Sequence, residues 1–91
     1  MFTLSAKLIF YIPHSFSLKD KRQVRRSITQ KVRNKFNVSI AEIGTEDVLK
    51  TLTIGIAIVS GDASHRRELI EAIIRFLEES AYAELTEVEI I

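Results

Sequence analysis

The sequence predicts an α+β fold of the ferredoxin-like kind, with one antiparallel four-stranded sheet and two helices on one of its faces. Three observations predict it. Apolar and polar residues alternate over Phe2–Ile12 and Thr51–Val59, the period-two signature of strands with one buried face. Two other stretches, opening at Ser17 and near Asp62, space their apolar residues at three and four, as helices do. With shorter strands at Asn37–Ile43 and Ala83–Ile91, the order becomes β-α-β-β-α-β, the split βαβ arrangement.

The first strand puts Phe2, Leu4, Ala6, Leu8, Phe10 and Ile12 on one face. Pro13, which has no N–H for a ladder, ends it. His14, Ser15 and Phe16 connect to Ser17, an N-cap with Asp20 at N3 as a capping-box variant. At 100° per residue, Leu18, Val24, Ile28, Val32 and Phe36 share one side of this helix, and Lys19, Arg22, Arg26 and Arg33 form a stripe opposite. Lys21 and Arg25 project onto the apolar side, where they either snorkel past the sheet edge or point into a site at the helix start.

The second strand follows, with Val38 and Ile40 alternating before an irregularity at Ala41-Glu42-Ile43. Gly44-Thr45-Glu46-Asp47 has turn composition, so a hairpin joins this strand to Thr51–Val59. There Leu52, Ile54, Ile56 and Ile58 point inward. Either Asp62 or Ser64 caps the second helix, whose buried stripe is Leu69, Ile70, Ile73, Phe76 and Leu77. Ala83–Ile91 mixes Leu85, Val88 and Ile90 with Glu84, Glu87 and Glu89, which reads as an edge strand protected by charge. The open sheet face is small and polar apart from Ile9, Tyr11 and Val59, a group that a second subunit could cover in a homodimer.

Composition bounds the function. Residues 1–91 are the length of a single domain. Without cysteine there is neither a disulfide framework nor a thiolate site. Met1–Ser5 lacks the basic and apolar regions of a signal peptide, and no apolar run is long enough to cross a bilayer. These features predict a cytoplasmic domain with no membrane association.

Charge is the most informative property. Ser17–Lys35 holds eight of the 13 Lys+Arg against one of the 12 Asp+Glu, and so carries +7, while the remainder, five bases against eleven acids, carries −6. Acids that would pair with this helix at i,i+4 are missing. A solvated surface explains part of such a stripe; nucleic-acid phosphates or an acidic protein surface explain the rest. In this topology the first and third strands are expected to lie parallel and adjacent, so that both helices begin at the same end of the sheet. Lys19, Lys21, Arg22, Arg66 and Arg67 would then meet there with His14 and His65 around an anion site.

Other chemistry is poorly supported. His14, His65 and Asp62 would bind metal only by converging, and no short ligand spacing suggests it. The loop Pro13–Phe16 lacks the glycines and the arginine with which acylphosphatases of this fold hold phosphate. No P-loop or G-x-S-x-G elbow occurs. Neither catalysis, a cofactor nor a metal is expected. An RNA-stacking sheet face is also unsupported, because the open face offers Tyr11 and little else.

Ser17-Leu-Lys-Asp-Lys-Arg, Arg33-Asn-Lys-Phe-Asn-Val-Ser-Ile-Ala-Glu, Leu52-Thr-Ile-Gly and Val59-Ser-Gly-Asp resemble the YlxP-like family, a bacterial domain of unknown function. The resemblance spans nearly the whole chain and implies a ferredoxin-like fold. It also implies a gene neighbourhood of translation-initiation and ribosome-binding factors, and so RNA or ribosome association, but it carries over no catalytic residues. Many relatives have small residues where this chain has Pro13-His14-Ser15-Phe16. Here Phe16 either narrows a pocket or staples against the stem of Lys21, while Asn34, Asn37 and Glu42 take structural roles. The expectation is a non-enzymatic, RNA- or ribosome-associated domain. Its phosphate partners are Lys19, Lys21, Arg22, Arg25, Arg26 and Arg33, with Arg66 and Arg67 as further anion-binding residues. The alternative is a protein-interaction or homodimerisation module whose basic helix docks an acidic surface.

Overall fold

Alternation along the strands becomes a sheet with one dry face. The computed structural model describes residues 1–79 and 83–91. Its elements are β1 (Phe2–Tyr11), α1 (Leu18–Lys35), β2 (Ser39–Glu42), β3 (Thr51–Ser60), α2 (Ala63–Glu78) and β4 (Glu84–Ile90). The strands pair antiparallel in the order β2-β3-β1-β4, the ferredoxin-like arrangement. Leu4, Ala6, Leu8 and Phe10 of β1 and Leu52, Ile54, Ile56 and Ile58 of β3 form the buried face, with Ile12 and Ile40 beside them. Ile28 and Val32 of α1, and Ile70, Ile73 and Leu77 of α2, close over it. Each large apolar side chain buried there contributes about 1.5–3 kcal/mol relative to exposure. Val24, Phe36, Leu69 and Phe76 pack at the margin, partly buried, and Phe36 and Phe76 meet edge to face with ring centroids 5.6 Å apart.

β1 and β3 are adjacent but antiparallel: Phe2 pairs with Ser60, and Tyr11 with Thr51. This overturns the expected parallel pair. A crossover helix makes β2 run the same way as β1, and β3 then turns back through a hairpin to lie between them, so it opposes both. α1 therefore starts at the Tyr11 end of the sheet and α2 at the Phe2 end. The two helix N-termini do not converge, and the anion site expected between them does not form.

The caps show how each helix starts. Ser17 Oγ accepts from the Asp20 N–H at 3.1 Å, while Asp20 reaches one residue beyond the usual box and accepts the Phe16 N–H at 3.0 Å. Asp62, not Ser64, caps α2: its Oδ1 accepts from the Ser64 N–H at 2.8 Å and the Ser64 hydroxyl at 2.7 Å. These bonds, with one from the His65 N–H, hold the Asp62 carboxyl below its ordinary value.

β2 is shorter at both ends than expected. The register between β1 and β4 shifts at Ile9/Phe10, and Thr86 fills the irregularity by donating its hydroxyl to the Ile9 carbonyl at 3.0 Å. Among the described residues, no helix is long and apolar enough to cross a membrane.

Candidate nucleic-acid interface

α1 has one face in the core, so its many bases are forced to the flanks and outside. Lys19, Arg22, Arg26 and Arg33 are exposed and Arg25 is half-buried. Among the described residues, none of these five has a carboxylate within ion-pairing distance; the ion pairs are Lys7–Glu89 and Lys21–Glu42. The bases therefore stay close together without neutralisation, an arrangement that costs repulsion in the free protein and favours an anionic partner.

Lys21 departs from the expectation. It is only 2% exposed, and its Nζ lies 2.9 Å from Glu42 Oε2, on a side chain itself 9% exposed. The ammonium also donates to the Thr45 carbonyl. Lys21 thus reaches past the apolar stripe to tie α1 to β2 and to the loop that follows, and is not available as a surface phosphate ligand. Glu42, expected in a structural role, is the buried partner of Lys21. The signal was present: Lys21 sits on the apolar side of its helix, and Glu42 shares the inward parity of Ile40. Two opposite charges at core-facing positions on neighbouring elements point to a buried pair.

Two members of the exposed stripe, Arg26 and Arg33, reach with the half-buried Arg25 toward β2. Arg33 Nη2 donates to the Ile40 carbonyl at 2.9 Å, spanning helix and strand. Arg25, Arg26 and Arg33 line a groove of about 360 Å³ with Thr29, Glu42 and Glu46. Thr29 turns its hydroxyl to the Arg26 carbonyl at 3.3 Å, and Glu46 Oε1 accepts the Gly44 N–H at 3.0 Å.

Arg66 and Arg67 lie elsewhere, on the first turns of α2 at the Phe2 end. Arg66 donates to the Thr3 carbonyl at 2.7 Å and stacks over Phe2 with 5.6 Å between guanidinium carbon and ring centroid. These two are not part of the α1 cluster. His14 and His65 fall at opposite ends of the sheet, and the described residues contain no group of three His, Cys, Asp or Glu that could hold a metal. Phe16 is 70% exposed, with Lys50 Nζ 4.0 Å from its ring centroid. Lys50 also donates to the Pro13 carbonyl at 2.7 Å.

Comparison with known proteins gives the following. The family model described as "Protein of unknown function (DUF503)" matches residues 3–90. A Bacillus subtilis (strain 168) protein described as "Uncharacterized protein YlxP" is 40% identical over 62 residues, covering 68% of this chain and 67% of that protein.

Proposed function

The chain belongs to the DUF503 family, and we propose that it is a non-enzymatic, cytoplasmic binding domain that contacts RNA, or RNA within the ribosome, through the basic flank of α1. The observation that carries this reading is the set Lys19, Arg22, Arg25, Arg26 and Arg33, gathered on one helix with no carboxylate in ion-pairing range among the described residues. Guanidinium and ammonium groups so arranged neutralise phosphates and release their counterions, which gives affinity that falls steeply with salt and carries little sequence information. Arginine predominates, and its planar fork matches phosphate oxygens two at a time. The open sheet face contributes little, because Tyr11 is its one exposed aromatic ring in β1 and β3.

The test is fluorescence anisotropy of labelled structured RNA at several salt concentrations. The log-log salt slope should be steep, about −0.7 to −0.9 per phosphate contacted. Combined Arg22→Glu, Arg26→Glu and Arg33→Glu should abolish binding while circular dichroism stays unchanged. A larger loss from Tyr11→Ala than from the triple reversal would refute the helix-centred reading. Absence of binding at low salt would transfer the basic flank to an acidic protein partner or a second copy of the chain.

A further inference from the structure

We infer that the groove between α1 and the free edge of β2 is a seat for the phosphates of a single nucleic-acid strand, which runs along that edge. The inference rests on the RNA-binding reading and makes it local: one flank of α1, one strand at a time.

Four observations support it. First, the groove is concave. Its volume of about 360 Å³ lies in the range of ligand clefts, and its walls are a helix and a sheet edge.

Second, its bases are spaced for a chain and not for a lone ion. Arg25 and Arg26 stand at one end and Arg33 at the other, about 11 Å apart along α1 at 1.5 Å per residue, so phosphates at both ends of a short segment can each meet a guanidinium.

Third, Arg33 is held in position. The Ile43 N–H donates to the Thr53 carbonyl at 2.8 Å, and ladder alternation then turns the backbone groups of Ile40 and Glu42 to the free edge. Arg33 takes the Ile40 carbonyl with one N–H and keeps its other donors for a ligand.

Fourth, the acids in the wall are largely occupied. Glu42 is neutralised by Lys21, and Glu46 has one oxygen on the Gly44 N–H. Three guanidiniums thus face a single uncompensated carboxylate.

The shared chemistry is phosphate, and the experiment separates its sources. Amide chemical shifts of the labelled protein are followed with an oligoribonucleotide of about six uridines, a size within single-strand site ranges. Parallel titrations use an RNA hairpin of equal charge, inorganic phosphate, pyrophosphate and a poly-glutamate peptide. The single strand should shift Arg33, Ile40, Ala41 and Glu42 most strongly, and should bind more tightly than the hairpin. Arg25→Gln and Arg33→Gln should each weaken it about fivefold or more. Lys31→Gln and Arg75→Gln, outside the groove, should change it less than about twofold, and Glu46→Gln should tighten it.

Shifts confined to the outer turns of α1, equal losses from all four neutralised bases, or a preference for the hairpin would overturn the groove while leaving RNA binding in place. Saturation by phosphate or pyrophosphate alone would reduce the seat to a small-anion site. Poly-glutamate binding more tightly than RNA at the same amides would replace the nucleic acid with an acidic protein. No shift with any RNA would remove the broader reading as well.

Discussion

Among the described residues each edge of the sheet carries one ion pair, and the two are built differently. At the β2 edge, Glu42 meets Lys21 with side chains 9% and 2% exposed. At the other edge, Glu89 of β4 meets Lys7 of β1 at 3.1 Å with side chains 54% and 35% exposed. The first pair joins helix, strand and loop in a place where water cannot compensate a lost charge; the second decorates a surface where water can. The difference shows which charges the fold depends on and which it tolerates. It also separates Lys21, which α1 uses in its own packing, from the arginines of that helix, which have no ion-pair partner among the described residues.

The largest predicted effect comes from breaking the buried pair on one side. Lys21→Met leaves Glu42 buried without a counter-charge and the Thr45 carbonyl without its ammonium, so urea denaturation should show a loss of about 3–5 kcal/mol. Adding Glu42→Leu should restore most of it, because desolvation of the two charges opposes their attraction. A double variant as unstable as the single would mean that the pair itself, and not the orphaned carboxylate, governs stability at this edge.

Gly44 sharpens the same contrast from the loop. It lies at φ 82° and turns the chain so that Thr45 can face Lys21, while Thr45 Oγ1 accepts the Thr53 N–H at 3.0 Å. Gly44→Ala should cost about 1–2 kcal/mol, since side chains are disfavoured in the left-handed region. Nothing crowds a Cβ there, so the loss would be conformational.

At the β4 edge, Lys7→Met should change stability by less than about 1 kcal/mol, as expected of an exposed pair screened by solvent and salt. A loss as large as that of Lys21→Met would erase the distinction between the edges.

The smallest effect belongs to Asp62, at the start of α2. Its carboxyl pKa is depressed by the bonds from Ser64 and His65, so its contribution is present above the unfolded value of about 3.9. It is lost as pH falls through the folded value. Asp62→Asn keeps an N-cap acceptor and should remove only this pH-dependent part. Carboxyl carbon titration should place the wild-type midpoint below that of an ordinary aspartate.

Much of the fold was legible because burial imposes period: Leu4 to Ile12 and Leu52 to Ile58 could hardly form anything but one-faced strands. Strand direction was not legible from period, which is why the relation of β1 to β3 was misread. Direction follows from connectivity, and the hairpin turn at Gly44 already contained the answer. Of the site, the basic flank was visible as composition. That Arg25, Arg26 and Arg33 reach toward β2 was not, because angles around a helix give relative positions and the neighbouring strand gives the reference. Lys21 was half legible: its place on the apolar side was plain, but a charge reads as a surface residue until its partner is known.

The contact between Arg33 and the Ile40 carbonyl also bears on the free edge of the sheet. An exposed strand recruits others through its unpaired carbonyls and amides, and here a guanidinium occupies one of those carbonyls on the outward side of β2. An incoming strand must evict it first. The edge is guarded by a competitor already in place, and a ligand that pulled Arg33 away would bare the template for strand addition, tying the aggregation behaviour of the protein to the occupancy of its basic groove.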